Sequence, residues 1–206
     1  VSDNCSTDET EAVVRRVQAS IDIRYQKNPE NLGVHRNFLN VVAMARGEFV
    51  WLIGDDDLLM PNALEKLNHL IGSHPNVDFF YVNAYFLTAQ YVQSFPRPFD
   101  TVNLPKKLEP FSSWPNSGEM EFMDLVDPKI SFDFLGGIFL SVFRRENWKQ
   151  NVGVLDESAV KDRRIFSHFD NTFPQLKIFS RAFANSKAYF NAEPLSICLS
   201  GVREWA

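Results

Sequence analysis

Cysteine is scarce in these 206 residues: Cys5 and Cys198 stand at opposite ends, neither within a metal-ligand pattern. Two such thiols make no disulfide framework and no zinc site, so a reducing compartment is the default and each is read as a small buried residue. A basic surplus is missing too. The 21 Lys+Arg face 26 Asp+Glu, a formal net charge of −5, which argues against a nucleic-acid binder. Nor does any apolar run approach the roughly 20 residues that span a bilayer. The longest, Leu135 to Phe143, is broken by Gly136, Gly137 and Ser141. There is no internal repeat, low-complexity tract or signal-peptide pattern. What is present is ordinary for a soluble globular domain, 45% hydrophobic and 23% charged. The 19 Phe imply a ring-rich core.

The opening Val1-Ser2 reads like the end of a strand, so the expectation is a chain that starts inside a fold. It runs into Asp3-Asn4-Cys5-Ser6-Thr7-Asp8, a polar turn rich in helix-capping residues. Val13, Val14, Val17 and Ile21 then recur at helical spacing, with Glu9 and Glu11 early and Arg15 and Arg16 late. Ile21 to Tyr25 alternates like a short strand, and Asn28 to Gly33 is a loop by composition. A second helix is predicted over Val34–Ala45. Glu48 to Ile53 is a continuous apolar run, the mark of a strand buried on both faces, and it stops at Gly54-Asp55-Asp56-Asp57. Pro61 opens a third helix and Val77 to Val82 reads as a strand. This alternation predicts an α/β fold with a mostly parallel sheet flanked by helices. Residues 94–118 hold five of the eleven prolines and read as a surface excursion. A short helix over Glu119–Val126, a strand over Gly136–Arg145, a helix over Asp170–Phe183, and strand, turn at Glu193-Pro194 and strand over Lys187–Ser200 complete the prediction.

Asp55-Asp56-Asp57 is the strongest chemical signal. Adjacent carboxylates repel one another, and a cation is what relieves them. In open α/β sheets the ligand crevice lies at the carboxyl ends of strands, where this cluster falls. Carboxylate oxygens select hard cations, and Mg²⁺ or Mn²⁺ would keep positions free for water and substrate phosphate. The bland alternative is a solvated acidic turn. The Asp3 to Asp8 turn has a similar choice, ligand contact or helix cap. If both turns close strands of one parallel sheet, they open onto the same crevice.

Three segments together resemble the metal-dependent GT-A glycosyltransferases of the family 2 type. They are Ser2-Asp3-Asn4-Cys5-Ser6-Thr7-Asp8-Glu9-Thr10, Asn31-Leu32-Gly33-Val34-His35-Arg36-Asn37, and Ala45-Arg46-Gly47-Glu48-Phe49-Val50-Trp51-Leu52-Ile53-Gly54-Asp55-Asp56-Asp57 with Pro61 behind it. The match covers about residues 1–85, and its Trp-Leu-Ile-Gly before three aspartates is similar to abequosyltransferase-like enzymes of bacterial surface-polysaccharide assembly. The resemblance implies a single GT-A domain over residues 1–206, with a nucleotide-sugar-binding half at 1–85 and an acceptor-binding half at 86–206. It implies that Asp3 contacts the nucleotide base and that Asn31, Gly33 and Arg36 line base and ribose, Arg36 within reach of phosphate. It places Asp55 near the ribose and makes Asp56, with Asp57 in support, the ligands of Mg²⁺ or Mn²⁺.

Three departures accompany it: the family's opening strand is absent, Gly54 stands where many relatives carry another Asp, and the later Glu-Asp pair has no clean counterpart. Inverting transfer needs a carboxylate base, and the candidates are Asp170, then Asp162, with Asp156 behind them. Asp162 lies in Lys161-Asp162-Arg163-Arg164, where arginines depress its pKa. The activity implied is transfer of a sugar from a nucleoside-diphosphate sugar to a saccharide or lipid-linked saccharide. The implied location is the cytoplasm at the inner membrane face. Arg144-Arg145 and Lys161 to Arg164 are the candidate contacts to a lipid-linked acceptor's phosphates. Two rivals are a nucleotide-sugar binding domain without turnover and a metal-dependent phosphate-ester hydrolase.

Overall fold

A computed structural model of the chain describes residues 1–94, 101, 104–162, 164 and 166–199. In chain order the elements are β1 (Ser2–Asp3), α1 (Thr10–Gln18), β2 (Gln26–Lys27), α2 (Val34–Met44), β3 (Phe49–Trp51), β4 (Asp57–Leu59), α3 (Ala63–Ser73), β5 (Phe79–Leu87) and α4 (Ala89–Ser94). Then follow β6 (Glu109–Pro110), β7 (Gly118–Glu121), β8 (Ser141–Arg144), α5 (Arg145–Asn151), α6 (Glu157–Lys161), α7 (Phe169–Thr172), α8 (Pro174–Phe183) and β9 (Lys187–Leu199). The chain forms two compact units, Val1–Val50 with Arg145–Ala182, and Trp51–Arg144 with Phe183–Ala206. These units cut across the halves expected on either side of residue 85.

In the first unit β1 pairs parallel with β2 in a sheet of two strands, Ser2 opposite Gln26 and Asp3 opposite Lys27. Strand β2 therefore lies beyond the alternating stretch from Ile21 to Tyr25. Its position is marked by backbone bonds, Gln26 N–H to Val1 O and Asn28 N–H to Asp3 O, and both its residues are exposed. Helix α1 carries Glu11 in its first turn and Arg15 and Arg16 in its last, as its macrodipole favours, yet buries none of its side chains. Helix α2 starts where Gly33, at φ +83°, turns the chain into it.

The larger sheet runs β3-β8-β5-β9-β4, with β6 on β5 and β7 on β9. It is mixed. Strands β5 and β9 pair parallel, whereas β4 and β7 run antiparallel to β9, and β6 and β8 antiparallel to β5. The α/β class stands, but the expectation of a mostly parallel sheet does not. A continuous apolar run reports burial on both faces and leaves strand direction open. Among the described residues the two polar turns also do not close strands of one sheet, because β1 pairs with β2 in a sheet of two strands and β3 belongs to the larger sheet.

The expected turn at Glu193-Pro194 is an irregularity inside β9. Pairing with β5 jumps from Val82–Asn191 to Ala84–Ser196, leaving the residues between as a bulge. Asp170 to Phe183 divides into α7 and α8, as Pro174 demands. Glu119 to Val126 is the end of β7 followed by a 3-10 turn over Phe122–Val126. The helix at Pro61 starts two residues later, at Ala63, after Asn62 in a left-handed conformation. Much of the proline-rich stretch, 95–100 with 102 and 103, lies outside the described residues, as do Arg163 and Ser200. The phenylalanines do build the second unit's core. Phe79, wholly buried, meets Phe122, Phe134 and Phe183 at 4.9, 5.7 and 5.3 Å between ring centroids. Among the described residues, no helix is long and apolar enough to cross a membrane.

Candidate functional site

In the first unit the Asp3 turn is tied to the 28–33 loop by the backbone bond from Asn28 N–H to Asp3 O and by a network of side chains. Asp3 is 4% exposed; its Oδ1 accepts from the Ser6 N–H at 2.7 Å and its Oδ2 from the Tyr25 hydroxyl. Burial opposes ionisation, but these two bonds outweigh it and hold the Asp3 carboxyl below its ordinary value. The same pairing, with burial the larger cause, pushes the Tyr25 phenol up to about 12. Asn4 Oδ1 accepts from the Leu32 N–H at 2.9 Å and from Asn28 Nδ2 at 3.2 Å, while Asn4 Nδ2 donates to Asn31 Oδ1 at 2.8 Å. Asn31 Oδ1 also accepts from the Gly33 N–H at 2.9 Å. Asn28, 2% exposed, also donates to Asn37 Oδ1, and Asn37 donates to Ser2 O. The structure thus brings Asp3, Asn31 and Gly33 together through Asn4, Asn28 and Tyr25, which the sequence reading did not single out. Asn28 sits in the loop that composition marked, and that was its only signal.

Arg36 stands apart from this network. On α2 it lines a cavity of about 390 Å³ with Leu39, Val152, Gly153, Leu155, Glu157, Val160 and Lys161. Its neighbour His35, 1% exposed, shares a hydrogen of Nε2 with Val160 O at 3.0 Å. Burial lowers the His35 pKa, so the ring is neutral and Nε2 is the donor.

In the second unit the three aspartates occupy the tight connection from β3 to β4. Asp57 N–H donates to Gly54 O, and Gly54 N–H donates to Asp57 Oδ2 at 3.2 Å. A Cβ at Gly54 would stand 2.3 Å from Asp56 Oδ1, so any side chain there would make the Asp56 carboxylate swing aside from its place over the turn. Asp55 is exposed, and Asp56 and Asp57 are half-buried. Among the described residues, no group of three or more His, Cys, Asp or Glu converges on a metal position. The donor set is hard carboxylate oxygen, which suits Mg²⁺ or Mn²⁺ only where substrate phosphate and water complete the shell.

All three candidate bases are spoken for. Asp170 is 1% exposed, and its Oδ2 accepts from Lys177 Nζ at 2.8 Å and from the Asp156 N–H at 2.7 Å. Burial opposes ionisation there, but the Lys177 and Asp156 bonds hold the carboxyl below its ordinary value. The Arg164 side chain binds both oxygens of Asp162, with Nη2 at 2.7 Å, and the Arg164 N–H and the Ser167 hydroxyl donate to the same carboxylate. Together they hold Asp162 well below the usual carboxylate range. Asp156 caps α6 through the Ser158 hydroxyl and N–H and the Ala159 N–H, and is pulled down to about 2. His168 caps α7, accepting from the Asp170 N–H at 3.0 Å.

Among the described residues, each of the expected phosphate contacts already has a partner. Arg144 pairs with Asp78, Arg145 Nε donates to Gly47 O at 2.7 Å, Lys161 pairs with Glu157 and Arg164 with Asp162. A short basic run read without its acids overstates the charge available. Trp148 is a core residue, 2% exposed, while Trp114 is 38% exposed.

The chain is 38% identical over 79 residues to the abequosyltransferase RfbV of Salmonella typhimurium, a match over 37% of this chain and 24% of that protein. Among solved structures it is similar to S. aureus TarS 1–349 in complex with UDP, with a TM-score of 0.67 at 15% identity over 97% of this chain and 50% of that one. The UDP-GlcNAc complex of TarS gives the same score at 16% identity over 99% and 50%. The chain therefore spans about a quarter of RfbV and half of the TarS fragment, and the TarS likeness is one of fold, the GT-A α/β fold. Residues 1–140, both polar turns included, match the glycosyl transferase family 2, and the chain belongs to that family.

Proposed function

We propose that the protein transfers a sugar from a nucleoside-diphosphate sugar to a saccharide acceptor with inversion at the anomeric carbon. One observation carries this reading: the family match runs through Asp3, Asn31, Gly33, Arg36 and Asp55 to Asp57. Asp3 and the Asn31-Gly33 loop take the base and ribose, on a turn that the Asn4–Asn28 network holds before any ligand arrives. Asp55 faces the ribose. Asp56 and Asp57 are the proposed ligands of Mg²⁺ or Mn²⁺, which would stabilise the departing diphosphate when bound. The acceptor hydroxyl attacks the anomeric carbon, the bond from that carbon to the phosphate oxygen breaks, and its electron pair leaves with the nucleoside diphosphate. For the hydroxyl's proton the proposal names Asp170 ahead of Asp162. Either has to leave its cationic partner, Lys177 or Arg164, before it accepts one.

That requirement favours a second reading, a nucleotide-sugar binding domain without turnover. The phosphate-ester hydrolase finds no support in the family match. The location proposed is the cytoplasm, at the inner membrane face if the acceptor is lipid-linked.

A thermal-shift panel of UDP, GDP, dTDP and CDP, with and without Mn²⁺, tests the donor site. A ligand at ~100 times its dissociation constant stabilises by about 2.7 kcal/mol, roughly 5–10 °C for a chain of this size. The expected result is a shift with one nucleotide that needs the metal and is lost in Asp56→Ala. No shift with any of the four from folded protein would end both readings. Release of that nucleotide from its sugar donor, in the presence of a saccharide acceptor, separates transferase from binding domain.

A further inference from the structure

His35 is a buried titratable group to which the proposed reaction gives no part. It lies in the first turn of α2, 1% exposed, and its ring occupies the space that a side chain at Gly33 would need. A Cβ there would stand 3.0 Å from His35 Cε1 and 3.4 Å from Nδ1. Glycine is therefore required twice at position 33, by its φ of +83° and by the ring packed against it. From its other edge the ring reaches across 125 residues of sequence, Nε2 donating to Val160 O at 3.0 Å.

Histidine carries a penalty here. Its Nδ1 is buried with no hydrogen-bond partner among the described residues, and an unmet buried acceptor is unfavourable. Leucine would fill much of the same space without that loss, so what histidine adds is the bond to Val160 O near the end of α6. Both ends of this bond lead to residues of the proposed site. On the α2 side the Gly33 N–H donates to Asn31 Oδ1, which also accepts from Asn4 Nδ2. On the α6 side Asp156 caps the helix, and its own N–H donates to Asp170 Oδ2. Hydrogen bonds, the packed ring and one helical turn thus connect Asn4 to Asp170 within the first unit, and His35 spans the step from α2 to α6.

We infer that His35 is a positioning residue: it seats the Gly33 turn and ties it to α6, so that the donor turn and the segment carrying Asp170 are held as one piece. What the two ends carry, a nucleotide and a proton acceptor, rests on the transferase reading, while the tie itself does not. A turn fixed before binding loses less freedom when its ligand arrives. A ligand that steadies the turn then steadies α6 with it.

The test compares the intact protein with His35→Leu and His35→Gln. Leucine fills the space without a donor, whereas glutamine keeps an amide N–H within similar reach of Val160 O. The nucleotide that gives the thermal shift is titrated against each at a temperature where all are folded. His35→Leu is expected to weaken its binding about 10-fold, the scale of one lost hydrogen bond, and His35→Gln to recover part of that. Amide exchange reads the tie itself. In the parent the nucleotide is expected to slow exchange at Val160 and Asp162, whose N–H groups bond back into α6, and in His35→Leu to slow it at residues 31–34 only. A role in stability alone would lower the urea midpoint of His35→Leu and leave affinity and exchange pattern as in the parent, which would overturn the inference. So would a glutamine variant no better than the leucine one, or a parent whose α6 amides ignore the nucleotide, an outcome that needs no variant to fold. If no nucleotide shifts the parent, the transferase reading fails and the tie is read without ligand. Faster exchange at both 31–34 and 160–162 in His35→Leu, reversed in His35→Gln, then upholds it, and unchanged exchange at either segment removes it.

Discussion

The two units solve the same problem with different materials. The second buries phenylalanine against phenylalanine, and the apolar burial of Phe79, Phe80, Tyr81, Phe143, Phe183 and Phe190 holds it together. The fully buried Asn83 satisfies its amide four ways, donating to Ser112 O and Ala192 O and accepting from the Ala84 and Ser112 N–H groups. In the first unit, buried polar groups rival the apolar ones. Asp3, Asn28, His35, Asp170, Asn171 and Gln175 stand beside Val42, Val50, Trp148, Ala159, Ile178 and Phe179. Apolar burial tolerates small displacements, whereas hydrogen bonds fix angles. A turn meant to meet a ligand's edges gains from the second kind of support, and the cost is lower local stability, as ligand-binding regions generally show.

The sharpest way to test this contrast is to remove a ring. Phe79→Ala is expected to cost about 3–5 kcal/mol, the usual loss for a buried phenylalanine, read from the urea midpoint. A loss below 1 kcal/mol would show that the ring cluster is not what holds the second unit. Next in size is Asp170→Ala. It strands Lys177 and the Asp156 N–H, and since Lys177 is 37% exposed the cost should be about 2–3 kcal/mol, below that of a fully buried pair. If stability is unmoved while turnover falls and its acid limb disappears from the pH profile, Asp170 is the base after all.

Asn28→Ala is expected to cost about 1–3 kcal/mol by leaving Asn4, Asn37 and Asn40 with unmet bonds. Its signature is local. Amide exchange should rise in residues 1–37 and stay unchanged in β5 and β9. Uniform change across both units would erase the contrast drawn here.

How much of this was legible follows from the same division. The apolar run ending at Ile53, the helix at 34 and the turn before Asp55 announce themselves through periodicity and glycine, whereas the single helix expected over Asp170–Phe183 is two helices divided at Pro174. The polar network did not announce itself. Asn4, Asn28 and Asn37 look like loop residues one at a time, because only the fold shows that they share partners. Strand direction was missed because burial says nothing about it. Asp170 was found as a carboxylate at a helix start, but Lys177, seven residues away, decides whether it is free to take a proton.

Acid titration probes Asp3 within the first unit. Its folded pKa is lowered below the ordinary 3.8, so the stability it contributes is complete above that value and is lost as pH falls through the lowered one. Tyr25→Phe removes one of the two bonds that do the lowering, at about 1 kcal/mol near neutral pH. The variant and the parent should converge as the pH falls through that lowered value, measured by urea unfolding at successive pH values. A gap that persists there would mean that Tyr25 acts by packing alone.

The smallest effect belongs to α1. Val13 and Val17 share one face of the helix and Ile21 follows at the same spacing just beyond its end, the pattern that normally marks a helix docked on a core, yet they are 41, 36 and 59% exposed. If the helix stands on its own propensity and charges, Val13→Lys should be neutral or slightly stabilising, within about 0.5 kcal/mol. Lysine is the better helix former, and it places an ammonium four residues after Glu9. A loss above 1 kcal/mol in the same urea experiment would mean that this face is covered in solution. The first unit would then rely on apolar burial as the second does, and its polar network would be a refinement of a packed core.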